Sequence, residues 1–129
     1  MYTIYNLGSS NRNWNEFLDI LKHHEIKIVA DVRRFPTSKL PWFNSSFMKK
    51  NLEKEGIKYI HLVDLGGFRR GGYERYTHST SFKKAIAHLT NLAEKERVAF
   101  FCKERDVKHC HRRYIVRELE KMGWRVVNL

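Results

Sequence analysis

Residues 102–113 read Cys-Lys-Glu-Arg-Asp-Val-Lys-His-Cys-His-Arg-Arg, a thiol followed by imidazoles and guanidiniums. The spacing of Ile115, Val116, Leu119 and Met122 predicts a helix that opens just where this block ends. A helix N-terminus carries about half a positive charge, so each cation placed there is disfavoured by about 0.3–1 kcal/mol. Yet His109, His111, Arg112 and Arg113 gather at this point, with no acidic residue between Val107 and Ile115. A bound anion would resolve the conflict, because helix N–H groups and arginine forks together hold phosphate or carboxylate. The competing arrangement has Asp31, Glu104 or Asp106 pairing the arginines instead.

Cys102 stands beside the same cations. A positive field lowers a thiol pKa and makes a nucleophile, with His111 as acid or base and Arg112 as oxyanion partner. A cysteine that closes an apolar run also reads as a small buried hydrophobe. A metal site built from Cys102, Cys110, His111 and either His109 or His61 is disfavoured by spacing, since C-x7-C-H is not a standard zinc pattern and the adjacent Cys110 and His111 are awkward ligands for one tetrahedral ion. Neither a metal nor another cofactor is expected.

Two more segments offer chemistry. Asp31 ends an apolar run and is followed by Arg33, Arg34 and Phe35, so a carboxylate orienting arginines is expected, with Arg33, Arg34, Arg112 and Arg113 holding the anion. The stretch from Asp64 to Ser79 carries Gly66-Gly67, Gly71-Gly72, Arg69, Arg70, Tyr73 and Arg75. Its aromatics, with Phe35, Trp42, Phe43, Phe68 and Tyr76, interleave with cations as single-stranded nucleic-acid binding requires, each stacked base contributing about 1–3 kcal/mol. The bland alternative is that the aromatics fold these loops down and the cations are solvated.

The elements that position these residues follow from periodicity. Tyr2–Tyr5, Ile26–Val32, Ile57–Leu62, Val98–Cys102 and Trp124–Asn128 read as strands. Between them, Trp14/Phe17/Leu18/Leu21, Phe47/Met48/Leu52, Phe82 through Ala93, and Ile115 through Met122 read as amphipathic helices. Asn13 with Glu16 forms a capping-box pattern, and Asn44 is placed to cap the second helix. The alternation predicts a single α/β domain over residues 1–129, a three-layer open sheet of about five mostly parallel strands with four crossover helices. Ligands of such sheets bind outside the carboxyl ends of the strands, where all the segments above converge.

Composition fits this reading. The chain has 129 residues with 25 Lys+Arg against 14 Asp+Glu, a formal charge of +11, and 42% hydrophobic residues. That balance excludes a disordered chain, and no apolar run reaches the roughly 20 residues of a membrane helix. The excess charge is +3 over residues 1–64 and +8 over 65–129. It points to polyanionic partners. Two cysteines are too few for a disulfide scaffold, and the opening residues lack a signal-peptide pattern, so a cytoplasmic protein is expected.

Taken together, Ile4-Tyr5-Asn6-Leu7-Gly8-Ser9-Ser10, Asp31-Val32-Arg33-Arg34-Phe35-Pro36, Phe43-Asn44, Leu65-Gly66-Gly67 and the Cys102 to Arg112 block resemble the domain of unknown function 488 family. The resemblance implies a compact α/β domain in which Asp31, Arg33, Arg34, Cys102, Cys110, His111 and Arg112 share one site. It brings no reaction. The expected ligand is phosphate-bearing, a nucleotide or single-stranded nucleic acid. The alternatives are a Cys102-dependent sulfur- or phosphoryl-transfer enzyme and a basic structural adaptor.

Overall fold

A computed structural model describes residues 2–103 and 111–129. The strands are β1 (Thr3–Gly8), β2 (Ile28–Asp31), β3 (Lys58–His61), β4 (Val98–Cys102) and β5 (Arg125–Asn128). The helices are α1 (Trp14–His23), α2 (Ser45–Glu53), α3 (Tyr73–Tyr76), α4 (Thr80–Lys95) and α5 (Arg112–Lys121). All strand pairs are parallel, in the order β3-β2-β4-β1-β5. The expected three-layer α/β architecture is therefore present, with α3 and two short 3-10 turns (Pro41–Phe43 and Val63–Leu65) as additions inside the long loops.

Sequence explains which strands lie where. β2 and β4 are uninterrupted apolar runs apart from Asp31, and every residue in them is buried. They take central places because both of their faces are covered. β3 and β5 carry exposed residues and lie at the edges. Alternation along the strands splits the core in two. Ile4, Ala30, Phe100 and Cys102 face α4 and α5, packing with Phe82, Leu89, Ile115 and Leu119. Leu7, Val29, Ala99 and Phe101 face α1 and α2, packing with Phe17, Leu21, Met48 and Leu52.

Topology follows from the same split. The chain steps outward from β1 through β2 to β3, then turns back to β4 and β5, and a fixed crossover hand moves the later helices to the other face. β4 thus lies between two strands whose loops lead to the opposite face from its own. Ligands of open α/β sheets bind outside the carboxyl ends of the strands at such a reversal.

The two expected caps differ in outcome. At α1, Asn13 Oδ1 accepts from Glu16 N at 2.8 Å and Glu16 Oε1 accepts from Asn13 N at 3.1 Å. Asn13→Ala is expected to cost about 1 kcal/mol, read as a lowered denaturation midpoint. At α2, Asn44 occupies the cap position, but its Oδ1 accepts from Ser38 N at 2.7 Å. That side chain braces the preceding loop instead of capping the helix.

Candidate functional site

Seven polar or charged side chains are buried among the described residues. Five of them, Asn6, Ser9, Asp31, Arg33 and Arg112, stand towards the carboxyl ends of β1 and β2 or open α5. Asp31 with Arg33 and Asn6 with Arg112 form two groups on opposite faces of the sheet, and the Ser9 hydroxyl donates to the Lys103 carbonyl at 3.3 Å.

On the α1–α2 face, the fully buried Asp31 carboxylate accepts from Arg33 Nε at 2.9 Å and Nη2 at 2.7 Å, a fork-on-fork ion pair. Its remaining capacity is taken by Arg33 N at 3.0 Å and the Tyr59 hydroxyl at 2.5 Å. The guanidinium lies 4.8 Å from the centre of the Phe101 ring, with Met48 Sδ at 3.7 Å and the Thr37 carbonyl at 3.3 Å. Burial works against the Arg33 charge, but the bond and charge of Asp31 outweigh it and hold its pKa above the usual value. Burial, reinforced by the Asp31 charge, pushes the Tyr59 phenol well above its ordinary range. Tyr59 thus remains a donor to Asp31. Asp31 does orient an arginine, and that arginine is Arg33.

On the α4–α5 face stand Cys102, His111 and Arg112. Arg112 is 1% exposed, and its Nη1 donates to Asn6 Oδ1. Asn6 Nδ2 in turn donates to Asn128 Oδ1 at 2.9 Å, tying α5 to β1 and β5. His111 Nε2 bonds the Val32 carbonyl at 2.7 Å, and His61 Nε2 bonds the Arg33 carbonyl at 2.5 Å. A carbonyl only accepts, so both imidazoles carry the proton on Nε2. Two histidines therefore pin consecutive carbonyls at the exit from β2. Cys102 is 8% exposed and packs in the core with Val32, Leu65, Tyr73 and Ile115. Its carbonyl accepts from Ser9 N at 2.9 Å, which fixes the β1 loop against β4.

Arg34 and Arg113 lie further out. Arg34 is half-buried and donates to the Phe68 carbonyl, while Arg113 is exposed and lies over the Tyr114 ring at 4.8 Å. The four residues placed in a nucleic-acid surface separate. Arg70 and Arg75 are exposed. Arg69 donates to Gly66 O at 2.9 Å and Val63 O at 2.6 Å, closing the 3-10 turn after β3. Tyr73 is buried against Phe82, His111 and Tyr114, so its ring has no open face for a base. His109 and Cys110, weighed above as cation and metal ligand, and the candidate partners Glu104 and Asp106 lie outside the described residues.

Among the described residues, no three His, Cys, Asp or Glu side chains are grouped to hold a metal. None of their helices is long and apolar enough to cross a membrane. Sequence reasoning passed over Tyr59, Asn6 and Ser9. A tyrosine on a strand beside one ending in Asp was the available signal for the first; nothing local marks the other two.

No curated protein and no solved structure matches the chain significantly. A family model described as domain of unknown function DUF488 matches residues 13–119, from the cap of α1 to the buried Leu119 of α5, a range that holds Asp31, Arg33, Tyr59, Cys102, His111 and Arg112 and leaves out β1 and β5. By that match the chain belongs to the DUF488 family.

Proposed function

We propose that the carboxyl edge of the sheet around β4 binds a phosphate-bearing ligand, a nucleotide or a nucleic acid. The observation that carries this reading is the gathering there of five of the seven buried polar side chains among the described residues. Burying carboxylates and guanidiniums is a poor route to stability, since desolvation about cancels their attraction. Such groups collected at the carboxyl ends of the strands beside β4, where the crossover direction reverses, fit a positioned binding edge. Arg34, Arg112 and Arg113, with the N–H groups that open α5, supply positive charge in this reading. Asp31 and Arg33 hold the β2 exit from which Arg34 projects, and His111 pins the same exit from the other face. Arg70 and Arg75 extend the positive field over the neighbouring loop.

Arg113→Gln tests the proposal without disturbing the core, because Arg113 is exposed. Binding of inorganic polyphosphate and of a single-stranded oligonucleotide is expected to weaken by similar factors, with the slope of log K against log salt shallower by about 1. The denaturation midpoint should correspond to a change within about 0.5 kcal/mol. If neither probe binds the unmodified protein at low salt, the reading ends.

A further inference from the structure

Among the described residues, Phe68 and Phe35 are the most exposed large apolar side chains, at 86% and 63%. Phe68 also breaks a backbone rule. Its φ is +58°, in the left-handed region where a bulky side chain crowds the chain and where glycine or asparagine is usual. Such strain persists only where the surroundings over-determine it, and it concentrates at ligand clamps.

The surroundings here do fix the loop. Arg34 donates to the Phe68 carbonyl, and Arg69 holds the Gly66 and Val63 carbonyls. The Tyr73 hydroxyl donates to Leu65 O at 2.7 Å, and the Tyr76 hydroxyl to Asp64 O at 2.6 Å. The Arg34 guanidinium also lies 5.6 Å from the centre of the Phe35 ring, so one cation links both exposed phenylalanines. Arg70 and Arg75 are exposed on the same loop, while the nearby Glu74 carboxylate is occupied by Arg117 at 2.5 Å.

An exposed ring beside a guanidinium, with a second exposed ring on the loop which that guanidinium holds, matches one chemistry well. Every nucleobase offers a π-face and every nucleotide a phosphate, and a single strand leaves both open where a duplex hides the base. We propose that Phe68 and Phe35 form a stacking platform for unpaired bases of a single-stranded nucleic acid, with Arg34 between them meeting the backbone phosphate. This rests on the phosphate-binding reading of the sheet edge and names its partner.

The test titrates the full chain with a labelled oligonucleotide of about ten nucleotides and, separately, with inorganic polyphosphate, which has charge but no bases. Phe68→Ala is expected to weaken oligonucleotide binding about tenfold and polyphosphate binding less than about twofold. Phe35→Ala follows the same pattern with a smaller loss. Phe68→Trp is expected to keep the original affinity and to lose indole emission on saturation. Phe68 is too exposed for either change to disturb the core. An unchanged oligonucleotide affinity in Phe68→Ala, or equal losses on both probes, overturns the platform and leaves the anion site standing. Oligonucleotide binding without polyphosphate binding overturns the anion site, and the Phe68 comparison is still read on the oligonucleotide. Phe68-dependent binding to anionic phospholipid vesicles, with no oligonucleotide binding, overturns the platform in favour of a membrane-surface contact.

Discussion

Asp31→Ala is expected to lower the stability of the fold by about 3–5 kcal/mol, the cost of stranding one partner of a buried ion pair. Asp31 is fully buried and Arg33 is 5% exposed, so the guanidinium cannot turn to water when its partner is removed. Three Arg33 donors and the Tyr59 hydroxyl lose their acceptor together. For a protein whose total stability is of order 5–15 kcal/mol, that loss is a large fraction. Urea denaturation measures it directly, as a lower midpoint at unchanged slope.

The double replacement separates the pair's net contribution from the cost of breaking it. Asp31→Ala with Arg33→Met removes both charges and leaves an apolar chain against Phe101 and Met48. It is expected to recover at least about half of the loss, because a buried pair and a packed apolar substitute are often nearly equivalent. A single-mutant loss below about 1 kcal/mol would show that water reaches the carboxylate, against its complete burial. If the double variant is no more stable than the single one, the pair is a source of stability rather than a positioning device for the β2 exit.

How far the residues announced these arrangements depends on which interactions set them. Apolar runs and helical spacing mark all five strands and the four longer helices, because burial of one face or two leaves its period in the chain. Strand ends then place Asp31, Arg33, Cys102 and Arg112 towards the carboxyl edge of the sheet, where the structure has them. Which face each residue takes is not legible in that way. Asp31 pairs in register with Phe101, so it shares a face with Phe101 while Cys102 takes the other. That register is set by backbone hydrogen bonds between strands distant in sequence. One expected shared cluster therefore becomes two, joined through the Val32–Arg33 backbone that His111 and His61 hold. Arg69 and Tyr73 carry a similar lesson. Their types suit nucleic acid, but Gly66-Gly67 lets the loop turn back so tightly that both are needed to hold its carbonyls. The charge excess of the second half is legible in composition, whereas the exposed Phe68 depends on a backbone angle no composition reveals.

The strongest effect of a single methyl group is expected at Gly66. Its φ of −67° and ψ of 156° suit any residue, so conformational freedom is not the reason for glycine there. Space is. A Cβ would lie 2.4 Å from Arg34 Cα and 2.5 Å from Arg34 N, both backbone atoms that no rotamer change can move. Gly66→Ala must push the loop after β3 away from the loop after β2, at a cost of about 3 kcal/mol, near the upper end for overpacking. For a chain of this length, that is a fall of about 10 °C in Tm. Gly67→Ala is the matched control. Its Cβ would meet the His111 ring at 3.2 Å, a contact relieved if the ring gives by a few tenths of an ångström, so the loss should stay below about 1.5 kcal/mol. The two variants add the same atoms one residue apart, and thermal denaturation of both ranks backbone contact against side-chain contact. Similar losses would mean that the two loops separate easily. In that case Arg34 would no longer be held between Phe35 and Phe68, and the platform would lose its rigid base.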